Sequence, residues 1–127
     1  MLLDSGSIIY VASPFTHDDE SIKEYRKQIN EKVCSHLIKN GFCAISPIAY
    51  GCMLIDKHWL INDDFTYWEL FCLTLLKKSD MMYIVRLDGW DKSIGVLSEI
   101  DFALKNSISI MFIDPIDFSL SEFIMIR

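Results

Sequence analysis

The chain is poor in basic residues. It has 12 lysines and arginines against 18 aspartates and glutamates among 127 residues, and its net charge is −6 at neutral pH. Proteins that bind duplex nucleic acid use lysine and arginine to displace phosphate counterions. The composition therefore argues against a polymeric nucleic acid partner. It remains compatible with a small anion held by backbone amides, which needs little net positive charge.

Long apolar stretches are missing as well. No run of about 18 apolar residues occurs, so we expect no membrane-spanning helix and no membrane partner. Residues 1–6 lack the basic region and apolar stretch of a signal peptide. Hydrophobic residues nevertheless make up 51% of the chain against 24% charged, which is typical of a globular protein. We therefore expect one cytoplasmic domain over residues 1–127.

Cysteine and histidine do not occur at the spacings typical of metal sites. The cysteines at 34, 43, 52 and 72 form no C-x-x-C pair, and the three histidines are far apart. Cys34, Cys43 and Cys72 lie in apolar segments, where a free thiol behaves as a small buried hydrophobe. We predict buried thiols in a reducing compartment and no metal; disulfides or a metal site are the alternative.

Short apolar runs alternate with segments of helical period, which predicts strands separated by helices. Residues 48–62 show no clean period and are predicted to form an irregular loop, while residues 118–127 fit either a short helix or a strand. Asp18 or Asp19 can cap the first helix. The predicted strands are residues 8–12, 42–45, 81–87 and 108–113, and the predicted helices are residues 18–40, 65–78 and 93–106.

This alternation predicts a doubly wound α/β fold, flavodoxin-like or Rossmann-like, with a mostly parallel sheet and helices on both faces. The strands are apolar throughout, as expected when both faces of a sheet are covered. Ligands on such sheets bind beyond the carboxyl ends of the strands. That rule points to Ser13-Pro14-Phe15, Ser46-Pro47-Ile48 and the loop of residues 88–93.

The segment after the third predicted strand is the most informative about a possible catalytic or binding site. A loop with Trp90 and Asp91 precedes a helix start at Ser93, where Gly95 lets an anion approach the free amides. Glu99 follows among apolar neighbours, and its burial would raise its pKa. The alternative is that Ser93 only caps the helix and that Glu99 is a solvated side chain.

Four segments in order carry a resemblance to a known family. They are Tyr10-Val11-Ala12-Ser13-Pro14-Phe15, then Gly41-Phe42 leading to Ser46-Pro47-Ile48, then Ser79-Asp80, and finally Gly89-Trp90-x-x-Ser93-x-Gly95-x-x-x-Glu99-x-x-x-Ala103. Over residues 8–115 the chain resembles the nucleoside 2-deoxyribosyltransferase superfamily, which includes the deoxynucleoside 5′-monophosphate N-glycosidases. The Ser46-Pro47-Ile48-Ala49 and Tyr67-Trp68 segments are similar to a little-characterised bacterial and phage branch.

The resemblance implies an enzyme that cleaves or transfers the N-glycosidic bond of a nucleoside or its 5′-monophosphate, with no metal or cofactor. Glu99 matches the family nucleophile, which forms a glycosyl-enzyme. Tyr10 matches the tyrosine that orients this glutamate. Ser93 matches a serine that binds the 5′-phosphate, and the Ser13-Pro14-Phe15 loop cradles the same end. Without the family, Tyr10 fits a core aromatic and Ser13 a turn residue.

One position departs from the family pattern. The family usually has an aspartate eight residues before the place held by Asp80, and this chain has Cys72 there. That aspartate supports protonation of the leaving base, whereas a thiol is a poor proton donor. Either Asp64 or Glu69 substitutes from the same helix, or catalysis is impaired. In the second case the chain is a non-catalytic module that binds nucleotides.

Aromatic and terminal residues have two interpretations each. Trp68 and Trp90 either stack on a base or pack in the core. His58, in the predicted loop, is a further candidate for ligand contact. Members of the resembled family are commonly homo-oligomers, so we expect a homodimer or higher assembly. The apolar residues of the 116–127 tail either form that interface or cover the chain's own sheet.

Overall fold

One five-stranded sheet, flanked by four helices, organises the chain in a computed structural model that describes residues 6–57, 59 and 65–124. The strands are β1 Ile8–Ala12, β2 Cys43–Ile45, β3 Met81–Val85, β4 Ser109–Ile113 and β5 Leu120–Glu122. The helices are α1 Glu20–Lys39, α2 Pro47–Asp56, α3 Phe65–Lys77 and α4 Ile94–Lys105, with a 3₁₀ turn at Trp90–Lys92.

The strand order is β2-β1-β3-β4-β5, and the first four strands pair in parallel. This is the flavodoxin-like order for a doubly wound sheet, and the predicted fold class is confirmed. The ambiguous tail contains β5, which pairs antiparallel with β4 at the sheet edge. Asp80 ties the starts of two strands together, because its carboxylate accepts a hydrogen bond from the Ile8 amide at 2.7 Å.

Alternation along β1 sends successive side chains to opposite faces of the sheet. Ile9 and Val11 pack on one face against the apolar stripe of α1. Tyr10 and Ala12 point to the other face, which α3 and α4 cover. The central strands β1 and β3 are buried on both faces, which explains their continuously apolar sequences.

Helix α1 begins and ends close to its predicted bounds. Asp19 is the N-cap, and its carboxylate accepts a hydrogen bond from the Ser21 amide at 2.9 Å. Gly41 follows the helix with a φ of +91°. A glycine adopts this left-handed backbone without the steric cost that a Cβ would bring.

The predicted irregular loop over residues 48–62 is wrong for its first part, because Pro47–Asp56 forms α2. Ser46 caps this helix by accepting from the Ala49 amide at 3.2 Å, and proline occupies its first turn. The helical period is hidden because α2 is apolar on more than one side: Ile48 and Ile55 line a cleft, while the apolar side chains of Tyr50 and Met53 are exposed. His58 lies outside the described residues.

The four cysteines are free, and only two of them are buried. Cys52 and Cys72 are buried and Cys34 is half-buried. The prediction of burial is wrong for Cys43, which is exposed because it opens the three-residue edge strand β2. Within the described part of the chain, no helix is long and apolar enough to cross a membrane, and no cluster of potential metal ligands occurs.

Candidate functional site

A cleft opens at the carboxyl end of β1, where the fold rule places ligands. Its cavity volume is about 90 Å³, whereas ligand pockets typically measure roughly 300 to 1,000 Å³. The enclosed part of the cleft is therefore smaller than a typical ligand pocket. The described lining residues are Val11, Ala12, Ser13, Phe15 and Thr16 after β1, Pro47, Ile48, Gly51, Cys52 and Ile55 of α2, Phe65, Trp68 and Cys72 of α3, and Ser93, Gly95 and Glu99 near the start of α4.

A buried tyrosine–glutamate pair lies beside this cleft. Glu99 is 6% exposed and Tyr10 is fully buried, and the Tyr10 hydroxyl donates a hydrogen bond to Oε2 of Glu99. Strand alternation turns Tyr10 toward α4, and Glu99 shares the buried face of α4 with Val96, Ile100 and Ala103. The interpretation of Glu99 as a solvated helix residue is therefore wrong.

Burial controls the electrostatics of the pair. Desolvation raises the pKa of Glu99 from 4.5 to about 7, partly offset by the Tyr10 hydrogen bond. Burial, and then the charge of Glu99, raises the pKa of Tyr10 well above its usual value. Tyr10 consequently stays protonated and donates, while Glu99 changes charge near neutral pH. Ionisation is the step that makes a carboxylate nucleophilic.

Cys72 completes this buried group from α3. Its side chain is in the cleft lining and is 5% exposed. Burial, followed by the charge of Glu99, raises the pKa of Cys72 to about 12, and a hydrogen bond with Tyr10 offsets part of this rise. The thiol is therefore neutral at physiological pH. It contributes neither a charge nor an effective proton donor to the cleft.

A hydrogen-bond network that the sequence analysis missed connects the ends of β1 and β2. The amide nitrogen of Asn30, which is fully buried, donates to Ser13 Oγ at 2.9 Å. Asn30 Oδ1 accepts from Ser46 Oγ at 2.6 Å. Since Ser13 accepts the Asn30 bond, its own hydroxyl proton can point into the cleft. The available signal was an asparagine between Ile29 and Val33 on the apolar stripe of α1.

Arg26 is a second residue that the sequence analysis missed. Its guanidinium donates to the carbonyl of Thr16 at 3.0 Å and to the carbonyl of Asp88 at 3.1 Å. These bonds connect the loop after β1 to the loop after β3. Gly89, with a φ of +88°, allows this approach because a Cβ there would lie 2.9 Å from the arginine. Arg26 thus holds the two loops together above the sheet.

The start of α4 combines helix capping with cleft lining. Ser93 is the N-cap, and its Oγ accepts from the Val96 amide at 3.2 Å. Its hydroxyl proton stays available to a ligand because the cap uses only the oxygen as acceptor. Gly95 has a packing role that was not predicted. A Cβ at this position would lie 2.9 Å from Cδ1 of Phe65, so glycine lets α3 approach α4.

The two tryptophans proposed as base-stacking residues differ in position. Trp68 lines the cleft and lies against Gly51 of α2. Trp90 packs edge-on against Phe112, with 4.9 Å between ring centroids, and is absent from the cleft lining. Of the two interpretations, Trp90 therefore fits core packing, whereas Trp68 remains a candidate for contact with a base.

Several predicted site residues are not brought into the cleft. Asp91 and Glu69 are exposed and do not belong to the lining, so the structure does not bring either acid into the described cleft. Pro14 is buried within the loop after β1 and restricts the backbone of that loop. Asp64, the other candidate acid, lies outside the described residues.

The chain belongs to the family described as a domain of unknown function (DUF1937), which matches residues 7–114. No curated protein matches the chain.

A solved structure with a similar fold is that of a 2-deoxyribosyltransferase from the psychrotolerant bacterium Bacillus psychrosaccharolyticus, described as a biocatalyst for the synthesis of nucleosides. The TM-score is 0.53 and the sequence identity is 22%, and the match covers 95% of this chain and 77% of that chain. The superfamily resemblance is thereby supported at the level of fold. The finer likeness to a bacterial and phage branch stays a prediction.

Proposed function

We propose that the chain cleaves or transfers the N-glycosidic bond of a nucleoside or its 5′-monophosphate, with Glu99 as nucleophile. The observation that carries this proposal is the buried hydrogen bond from Tyr10 to Glu99 beside the cleft. The fold shared with an enzyme named 2-deoxyribosyltransferase supports the same class of reaction. The small-molecule partner is then a nucleoside or nucleotide.

In the proposed reaction the Glu99 carboxylate attacks the anomeric carbon and forms a glycosyl ester. The bond from that carbon to the base breaks, and its electron pair moves to the base; a base that leaves as an anion takes a proton from solvent. Water then releases the sugar by hydrolysis, or a second base accepts it by transfer. Tyr10 fixes the carboxylate orientation through its hydrogen bond. A carboxylate and an acceptor suffice for both steps, so the proposal requires no metal or cofactor.

We assign the 5′ end of the ligand to the part of the cleft wall between the end of β1 and the start of α4. Ser13 and Ser93 both line the cleft and each has a hydroxyl proton to donate. Free amides at the start of α4 favour an anion such as a phosphate. Phe15 and Trp68 supply aromatic faces for the base toward the cleft mouth.

A second candidate is a non-catalytic module that binds and sequesters a nucleotide. Cys72 favours it, because a neutral thiol stands where the resembled family has an acid. This candidate keeps the cleft and the hydroxyls of Ser13 and Ser93. It requires no bond cleavage, so Glu99 would act only as a buried polar residue.

Base release separates the two candidates. The protein is incubated with nucleosides and 5′-monophosphates carrying neutral or N-alkylated bases, and free base is measured by chromatography. We expect base release by the wild type, its loss in Glu99→Gln, and retained release in the exposed control Glu69→Gln. Binding without any base release, equal in wild type and Glu99→Gln, would instead favour the binding module.

We also propose that the protein is a homodimer or higher homo-oligomer. Phe118 and Phe123 pack against the chain's own core, so part of the tail covers its own sheet. Leu120, which begins edge strand β5, and Ile124, which follows that strand, are exposed and available for an interface. Light scattering after size exclusion tests this, and a monomer at micromolar concentration would contradict it.

A further inference from the structure

The cleft contains an uncompensated acidic group. Glu99 is its only carboxylate among the described lining residues, and no described lysine, arginine or histidine belongs to that lining. The hydrogen-bond partner of Glu99 is the neutral hydroxyl of Tyr10. A buried carboxylate without a cationic partner is costly when ionised. A ligand that brings a positive charge into the cleft lowers this cost.

Two cations approach the loop after β1, but neither lines the cleft. The Lys23 ammonium lies 5.3 Å from the centroid of the Phe15 ring and 3.6 Å from the Glu20 carboxylate. Arg26 directs its guanidinium at backbone carbonyls of the two loops. Neither charge is therefore placed to pair with Glu99.

The described cleft also lacks an effective proton donor for a leaving base. Cys72 has a pKa raised to about 12 and Cys52 a pKa raised to about 11, both through burial. Tyr10 gives its proton to the hydrogen bond with Glu99. A neutral base that leaves a sugar accumulates negative charge, and a general acid accelerates such a departure by roughly 10²- to 10⁴-fold. None of the described lining residues supplies this acceleration for a neutral base.

The remaining lining is aromatic and apolar, which suits a flat cation. Phe15, Phe65 and Trp68 all contribute to the cleft wall. The faces of aromatic rings attract cations, tryptophan most strongly. Phe15 already takes part in such a contact through Lys23. The aromatic lining and a lone carboxylate together therefore favour a positively charged ring over a neutral one.

We propose that the preferred substrate is an N-glycoside whose base carries a fixed positive charge, such as a pyridinium or N7-alkylpurine nucleoside or its 5′-monophosphate. This inference rests on the proposed function and specifies its substrate class. The single carboxylate, the neutral thiol beside it and the aromatic wall are the features that select this class.

The chemistry balances without a proton donor. The Glu99 carboxylate attacks the anomeric carbon, the carbon–nitrogen bond breaks, and its electron pair cancels the positive charge on the ring nitrogen. The base leaves as a neutral molecule. Water then attacks the anomeric carbon of the glycosyl ester, one proton passes to solvent, and the Glu99 carboxylate is regenerated.

The first test compares bases of different charge in the wild-type protein. The cationic probes are nicotinamide riboside and 7-methylguanosine, and the neutral probes are guanosine and uridine, each also as its 5′-monophosphate and in deoxyribose form. Base release is measured as kcat/KM after the spontaneous rate is subtracted. We expect kcat/KM of the cationic probes to exceed that of the neutral probes about 100-fold or more, because neutral bases leave without a general acid. The two cationic probes distinguish a pyridinium from an alkylpurine preference.

A second test adds an acid beside Glu99 and measures the change in preference for cationic over neutral bases. In Cys72→Asp, the new carboxyl lies beside Glu99, and two neighbouring carboxyls share a proton. We expect the cationic-to-neutral ratio to fall about 10-fold or more, because neutral bases gain a proton donor. Cys72→Ser, which adds no acid, is the matched control and keeps the wild-type ratio. If Cys72→Asp does not fold, the wild-type comparison still decides.

Three outcomes would overturn the proposal. Equal kcat/KM for neutral and cationic probes means that a proton donor operates on the neutral bases. Selective loss of neutral-base cleavage in Asp64→Asn would identify that donor as Asp64. Release of no base from any probe overturns the proposed glycosidase activity and this inference with it. The first two outcomes leave the proposed activity standing, so the two failures are distinguishable.

Discussion

Two buried polar centres lie at the same end of the sheet and differ in how their hydrogen bonds are satisfied. On the α1 face, Asn30 is neutral and exchanges hydrogen bonds with Ser13 and Ser46. On the α4 face, Glu99 is ionisable and accepts a hydrogen bond from the Tyr10 hydroxyl. A satisfied neutral network rigidifies the structure, whereas a buried acid with few partners is reactive. We therefore expect Asn30 to position the cleft and Glu99 to perform chemistry.

The largest expected effect comes from removing the carboxylate. In Glu99→Gln the side chain keeps its shape and still accepts from Tyr10, but an amide is not a nucleophile. Base release should fall about 10³-fold or more while the fold is retained. Steady-state base release, with circular dichroism as a folding control, measures this. Retained turnover would place the nucleophile elsewhere.

Stability at different pH values tests the burial of the same group. The raised pKa of Glu99 means that the folded protein binds its proton more tightly than the unfolded chain does. Its contribution to stability is fully present below pH 4.5 and is lost as pH rises through about 7. Glu99→Gln should therefore match the wild type at acidic pH and exceed it by about 3 kcal/mol at alkaline pH. Urea unfolding across this range measures the difference, and equal pH profiles would show a solvated glutamate.

Loss of the tyrosine hydroxyl should change the ionisation of Glu99. The hydrogen bond from Tyr10 lowers the pKa of Glu99, so Tyr10→Phe should move the acidic limb of the pH–rate profile upward from about 7. Activity at neutral pH should drop about 10²-fold, the order of effect typical for one preorganised donor. Tyr83→Phe, a buried tyrosine on the opposite face of the sheet, is the matched control. A pH–rate profile that does not shift would contradict the proposed effect of Tyr10 on the pKa of Glu99.

A smaller effect is expected at the neutral centre. Asn30→Ala leaves the Ser13 and Ser46 hydroxyls without their shared partner and opens a small cavity. The free energy of unfolding should fall by about 2 kcal/mol. Because Ser13 loses its orientation, KM should rise more than kcat falls. Asn40→Ala, at an exposed helix end, is the control for asparagine removal. A pure kcat effect would show that Asn30 acts on the chemical step.

The two centres also differ in how well the sequence predicts them. The alternation of β1 and the helical period of α4 direct Tyr10 and Glu99 to the same face of the sheet. The local sequence around each residue therefore predicts its orientation. Their contact joins residues 89 positions apart, and strand order and register decide it. Asn30 was missed because a single polar residue on an apolar stripe has no periodic signal. Helix α2 was missed because exposed Tyr50 and Met53 are as apolar as cleft-facing Ile48 and Ile55, so no polar face marks its helical period.

The most direct measurement is a mass spectrum of the protein quenched during turnover. If Glu99 attacks the anomeric carbon, the intact mass rises by one sugar unit, and peptide mapping assigns that adduct to residue 99. Glu99→Gln should show no adduct under the same conditions. An adduct on another side chain, or base release by the wild type with no adduct at any quench time, would contradict the account.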